Sequence, residues 1–278
     1  MRISVVHSTA YRYSGPVYLE PHAIRLRPRE DGSQRLIAFA LNISPVPVSR
    51  SDLLDQDGNV VTQTWFEGLT DELVLRTSFQ IETLRENPFD FLLLATDRDL
   101  PVQYEEALRG ALVPYLGADH DPAVRDFAQQ IAIQAGWQTA DFLAALNRTV
   151  FESSRHITRR EGAPLPPART LAGHAGSCRD VAVLFCAACR AMGIAARFVS
   201  GYERDSALDD DGDMHAWAEV YLQGGGWRGY DPSRGLAVGG SHVPVAAAAD
   251  AALAAPVIGT YRGAAASTID FTISMQVG

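Results

Sequence analysis

Apolar and polar positions alternate along residues 3–13, 17–27, 34–44, 60–66 and 73–84, the two-residue period of strands that set one face against a core. Turn residues punctuate them at Glu30-Asp31-Gly32-Ser33 and Asp57-Gly58-Asn59. Beyond residue 90 the period changes. Residues 86–120, with Asn87-Pro88, Leu100-Pro101 and scattered aspartates, read as a connector. Asp121-Pro122 then supplies a capping aspartate and a first-turn proline, and Gly136 closes that helix. A second helix over 139–151 spaces Phe142, Leu146 and Val150 along one face. After the break at Pro164-Leu165-Pro166-Pro167, residues 181–192 are almost wholly apolar and are closed by Gly193, where a left-handed cap is favoured. Alternation returns from 213 to 222, with His215, Trp217, Glu219 and Tyr221 on one face and Ala216, Ala218, Val220 and Leu222 on the other. Gly224-Gly225-Gly226 turns the chain, residues 227–231 run back, and Pro232 ends the pairing. Strands and helices grouped in blocks predict an α+β protein: a β-rich, sandwich-like domain over 1–90, a connector over 91–120 and a helix-and-sheet core over 121–278.

Three residues in ordered contexts suggest chemistry. Cys178 opens the apolar helix behind Gly176-Ser177, where unpaired backbone amides and the helix dipole stabilise a thiolate. Cys186 and Cys189 lie deep in the same helix and read as small buried hydrophobes. They spell C-x-x-C, but a redox motif places its first cysteine at an exposed helix start, and a zinc ribbon needs a second such pair that the chain lacks. A thiol nucleophile needs an imidazole to take its proton and a carboxylate to orient that imidazole, roles that fit His215 and Asp231. Two registers stay open: a loop at 222–224 sets Asp231 opposite His215, and a loop at the three glycines sets it opposite Glu219. Both keep His215 and Asp231 on one face. A metal site on His215 and Glu219 is poorly served, because residues four apart on a strand are too widely separated to share an ion. The acidic run 203–213 fails as a calcium loop, since counting from Gly212 puts Ala207 at the first ligand position; it reads as a solvated loop leading into His215.

Gly-Ser-Cys-Arg-Asp (176–180), the run 189–202, Met-His-Ala-Trp-Ala-Glu-Val-Tyr-Leu (214–222) and Gly-Trp-Arg-Gly-Tyr-Asp-Pro-Ser (226–233) together resemble the core of the bacterial transglutaminase-like superfamily over about 139–256. Residues 5–13 and 21–29 are similar to the β-rich domain that precedes this core in many bacterial members. The resemblance implies a papain-like arrangement, with Cys178 on a helix as nucleophile and His215 and Asp231 on adjacent strands as base and orienter. It agrees with the reading of the residues themselves. The expected reaction is acyl transfer through a thioester, with the backbone N–H of Cys178 as one oxyanion donor and Trp217 and Trp227 either walling the site or filling the core. Water as acceptor makes a cysteine protease or amidase; an amine makes a transglutaminase. Calcium sites like those of the animal enzymes are not visible, and hydrolysis is the expectation. Loss of any of the three residues would instead have marked a non-catalytic binding module. An N-terminal sheet edge offered to a partner lacks a peptide-binding signature.

Composition narrows this further. A chain of 278 residues, 47% apolar, buries one large core or two modest ones. No apolar run reaches bilayer length, residues 1–7 read as a strand and not a signal segment, and three cysteines do not make a disulfide framework; a cytoplasmic location follows as the expectation. A net charge of −9 without a basic stripe argues against nucleic acid. The cluster Arg25-Leu26-Arg27-Pro28-Arg29 beside Glu30-Asp31 reads as a solvated strand end. No cofactor, metal or membrane is expected, and the partner is a peptide or amide substrate.

Overall fold

The segments 3–13 and 17–27 become one long strand and one short one in a computed structural model that describes residues 1–117, 121–159, 162–204 and 213–278. Strand β1 (Arg2–Leu19) runs through Gly15-Pro16, and its register against β6 shifts between Arg12 and Val17, where a proline costs no ladder bond. There follow β2 (His22–Ile24), β3 (Gln34–Ser44), β4 (Ser49–Leu54), β5 (Val60–Trp65) and β6 (Thr70–Thr83). Strand β4 has no counterpart in the sequence reading: all six of its residues are exposed on a sheet edge, so no alternation betrays it.

The connector holds an unexpected helix, α1 (Glu106–Leu116), hidden in the sequence by Gly110 and by Pro114 inside its last turns. Helices α2 (Pro122–Gln134) and α3 (Thr139–Ser153) follow as expected. The two-residue strands β7 (Arg155–His156) and β8 (Ala175–Gly176) pair in parallel around α4 (Pro167–Gly173). Next come α5 (Cys178–Ala191), β9 (Ala196–Glu203), β10 (His215–Leu222), β11 (Gly226–Asp231), β12 (Leu236–Ala237) and β13 (His242–Ala248). These last five strands form one antiparallel sheet in the order β12-β11-β10-β9-β13. Helix α5 covers it, setting Val181, Leu184, Phe185 and Ala188 against Ala218, Val220, Leu222 and Tyr230.

Two short returns and one long one close the chain: β14 (Val257–Ile258), β15 (Tyr261–Arg262) and β16 (Ser267–Val277). They follow the core in sequence but pair with the N-terminal strands, β14 with β2, and β15 and β16 with β1. The N-terminal part is therefore two sheets, β3-β6-β1 extended by β15 and β16, and β14-β2-β5-β4. Tyr13, Val17, Leu19, Ile24, Leu26, Leu73 and Leu75 fill the space between them.

The sandwich and the core share a packed boundary. Ile3, Val5, Phe79 and Ile81 meet Tyr202, Val243 and Val245, and the Asn59 side chain bonds both the N–H and the carbonyl of Ala247, at 2.8 Å each. The basic cluster belongs to this boundary and is not a solvated strand end: Arg25 is 7% exposed and pairs with Asp55 at 3.2 Å, while Arg29 donates to the Asn59 side chain and the Asp57 carbonyl. The buried guanidinium finds its carboxylate 30 residues along the chain, on a turn that the strand pattern does not connect to it.

His7 lies at the same boundary, with its ring nitrogens against Tyr202 Oη at 2.8 Å and Thr9 Oγ1 at 2.9 Å. Burial pulls its pKa down from 6.5 to about 4. The unfolded chain therefore binds this proton first, so stability present above about pH 6.5 falls as pH drops towards 4, by about 3 kcal/mol in all. Denaturation midpoints measured across this window are expected to slope in the parent and flatten in His7→Gln; equal slopes would show that His7 does not carry the effect.

Candidate active site

The helix start that carries Cys178 is built by a buried carboxylate. Ser177 has the extended backbone of an N-cap (φ −77°, ψ 170°), and Asp180, three residues on, accepts hydrogen bonds from the Ser177 N–H and hydroxyl at 2.8 Å each. The other Asp180 oxygen accepts from Arg159 Nη1 at 2.6 Å and from the Leu165 N–H at 2.7 Å. Burial alone would raise the pKa of Asp180, but these donors outweigh it and hold the carboxyl below its usual range. A single side chain thus joins the Arg159 segment and the proline-rich loop to the helix end. Gly176 makes the fit possible, since a Cβ there would stand 2.9 Å from Asp180 Cβ. Ser-x-x-Asp ahead of an apolar run is a capping-box pattern, so Asp180 was open to discovery from sequence.

Cys178 is half-buried, while Cys186 and Cys189 are sealed in the helix core, where burial pushes the Cys186 thiol up to about 11 and the Cys189 thiol well above its ordinary value. The start of β10 brings His215 beside Cys178. The imidazole is 5% exposed, and its Nε2 lies 2.7 Å from Asp231 Oδ2, which leaves Nδ1 for the thiol. Burial would lower the His215 pKa; hydrogen bonds to Asp231 and Cys178 prevail and push it up to about 10.

Neither register considered for the hairpin is adopted. Leu222 pairs with Gly226 and Glu219 with Gly229, so the loop is Gln223-Gly224-Gly225 and the same register sets Asp231 against Trp217. His215 and Asp231 are diagonal neighbours on one face, within reach of their long axes. The buried Asp97 decides this by binding both the backbone and the side-chain amide of Gln223, an anchor that lies in the connector. Gly224, at φ 87°, passes so close to Leu92 that a Cβ would stand 2.3 Å from its carbonyl oxygen.

Asp231 is fully buried. Its Oδ1 accepts from the Ser233 N–H (3.0 Å), the Ser233 hydroxyl (2.7 Å) and the Arg234 N–H (3.2 Å). Its Oδ2 is shared between His215 and a second buried imidazole, His242 Nε2 at 3.1 Å. Burial would raise the Asp231 pKa, yet the two histidines hold it far below the carboxylate range. His242 stands on β13, two strands from β10, and no spacing in the sequence points to it. Ligand atoms of His215, Asp231 and His242 lie within 4.8 Å of one another, close enough for one cation, but each imidazole already spends its Nε2 on the carboxylate. Glu219 is not a ligand partner of His215; it pairs with Arg197 at 2.7 Å.

Trp217 is fully buried, stacked on His215 at 6.3 Å between ring centroids and edge-on to His242 at 5.1 Å. It reaches this place because Gly201 has no side chain, a Cβ there falling 2.7 Å from the indole. Trp227 sits apart, under the Arg197 guanidinium at 4.1 Å and against Tyr115. Most of the acidic run read as a solvated loop, residues 205–212, lies outside the described residues.

Known proteins carry the same organisation. Residues 125–232 match the transglutaminase-like superfamily core, and residues 3–82 match the bacterial transglutaminase-like N-terminal region. The chain is 28% identical over 284 positions to an uncharacterized protein of Mycobacterium leprae, covering 99% of this chain and 98% of that one. An uncharacterized protein of Mycobacterium tuberculosis is 26% identical, with 99% and 92% covered. The crystal structure of a Cytophaga hutchinsonii protein, described as a proposed cysteine protease, shares the fold at a TM-score of 0.73 and 20% identity over 99% of this chain and 90% of that one. No helix among the described residues is long and apolar enough to cross a membrane.

Burial separates the three thiols. Limited iodoacetamide treatment followed by peptide mass spectrometry is expected to label Cys178 first, with Cys186 and Cys189 modified only on unfolding. Early label on either buried cysteine would remove Cys178 from consideration.

Proposed function

The chain belongs to the transglutaminase-like superfamily, and from that premise we propose that it is a thiol-dependent acyl-transfer enzyme, a cysteine protease or amidase that cleaves a peptide or amide bond through a thioester. The observation that carries the reading is the line from Cys178 through the His215 imidazole to the buried Asp231 carboxylate, 2.7 Å from Nε2. It supplies a nucleophile, a base and an orienter in that order. In this reading the Cys178 sulfur attacks the substrate carbonyl while His215 holds the thiol proton. As the C–N bond breaks, that proton passes to the leaving amine and the acyl group remains on sulfur. Water then attacks the thioester, giving one proton to His215, which returns it to the departing sulfur. The oxyanion of each step faces the N–H of Cys178, which lies in the first helical turn and has no acceptor within the helix.

The half-exposed position of Cys178 leaves a thioester there within reach of solvent, which favours water as acceptor. Incubating the protein with peptide substrates and excess labelled primary amine is expected to yield mainly the free acid; a product that is mainly amine adduct would reassign the enzyme as a transglutaminase.

The raised His215 pKa sets a second expectation. With imidazolium needed to protonate the leaving amine, kcat/KM should keep its value well above pH 6.5 and decline only towards about 10. Asp231→Asn removes the carboxylate that raises it, so the alkaline decline should move down towards 6.5 while kcat falls by about 10⁴-fold. A variant with the parent's profile and rate would release Asp231 from the role.

A further inference from the structure

We propose that His242 is a positioning residue for this thiol chemistry: it donates its Nε2–H to Asp231 Oδ2 and so fixes the carboxylate that orients His215. The inference rests on the acyl-transfer reading above but comes from a separate set of contacts. An ionised carboxylate can only accept, so the short approach of His242 Nε2, at 3.1 Å, requires a proton on that nitrogen. Its other ring nitrogen, Nδ1, lies 3.0 Å from the Ser241 hydroxyl. Neutral His242 then has both nitrogens satisfied in one tautomer only, donor at Nε2 and acceptor at Nδ1.

The surroundings allow little else. His242 is 4% exposed, and its ring makes a T-shaped contact with the Trp217 indole, which also stacks on His215. The charged or titratable groups set beside it include Asp231 from β11, His215 from β10, and its β9 register partner Glu203, which is itself paired with Arg234 at 3.4 Å. The contact spans the sheet, because β13 lies beyond β9 on the side away from β11. Among the described residues, five hydrogen bonds reach the Asp231 carboxylate, three to Oδ1 from the turn after it and two to Oδ2 from the histidines. The turn holds one oxygen. Without His242, only the moving part of the machinery, His215, would hold the other. A carboxylate anchored from both sides keeps Oδ2 aimed while His215 gains and loses its proton.

The test needs no substrate, so it stands apart from the identity of the acyl donor. The pH dependence of iodoacetamide alkylation at Cys178 is compared in the parent, in His242→Leu, which fills space without donating, and in His242→Gln, which keeps an N–H donor. We expect alkylation at pH 7 to slow by about tenfold in His242→Leu and to recover to within about threefold of the parent in His242→Gln. Parent-like rates in His242→Leu would overturn the proposal, as would equal slowing in both variants, which would assign the effect to ring packing on Trp217. A parent whose Cys178 reacts no faster than an ordinary free thiol would instead overturn the acyl-transfer reading itself. Should His242→Leu not fold, nitrogen-15 spectra of the imidazoles in the parent decide the matter at neutral pH: His242 Nε2 carries a proton, and finding it bare would refute the donation.

Discussion

A carboxylate without water is the constraint on which this molecule turns. Asp231 is fully buried, and an ion in such a place is stable only if nearly every lone pair is met by a donor. Those donors come from the turn that follows it, from the first residue of β10 and from the first residue of β13. They converge only when β11, β10, β9 and β13 are in register. The charge therefore ties the assembly of the sheet to the assembly of the site, and the same bonds that stabilise the anion aim His215.

A second buried carboxylate performs the matching task at the helix. Asp180 gathers Ser177, Leu165 and Arg159 around the first turn of α5, so the thiol of Cys178 is presented at a defined height and angle. Its negative charge lies near the helix end, where it complements the dipole. That charge also works against a thiolate, an opposition that the Arg159 guanidinium at 2.6 Å relieves. Cys178 thus sits between two anchored groups, one fixing the backbone it grows from and one fixing the imidazole it meets.

The N-terminal sandwich contributes rigidity to this arrangement. Strand β16 returns from the far end of the chain to pair with β1 over eleven residues, Ile3 to Tyr13, so in sequence the core lies between strands of one sandwich and does not merely follow it. Apolar packing of β1 and β6 on Tyr202 and Val243, and the paired bonds of Asn59 to Ala247, reach strands β9 and β13 directly. Because β13 carries His242, the sandwich supports one side of the Asp231 cage.

Much of this could be read from the chain alone because the deciding interactions are local. The period of the apolar residues marks the long strands and helices α2, α3 and α5, for each of these buries one face and must show it. Likewise Cys178 is marked by its helix start, and His215 and Asp231 by a hairpin that keeps them on one face in both registers weighed and in the one adopted. Where the chain is exposed or the helix signal broken, as in β4 and α1, the pattern is silent. What tertiary structure decided is everything that depends on partners distant in sequence: the hairpin register, held by Asp97 from the connector; the inward turn of Arg25 and Arg29; the return of the C-terminal strands to the first sheet; and the approach of His242 to Asp231. Periodicity tells which face of an element is buried, but a hydrogen bond across a sheet leaves no period in the sequence, because its two ends are set by how the strands are ordered and not by how they are spaced.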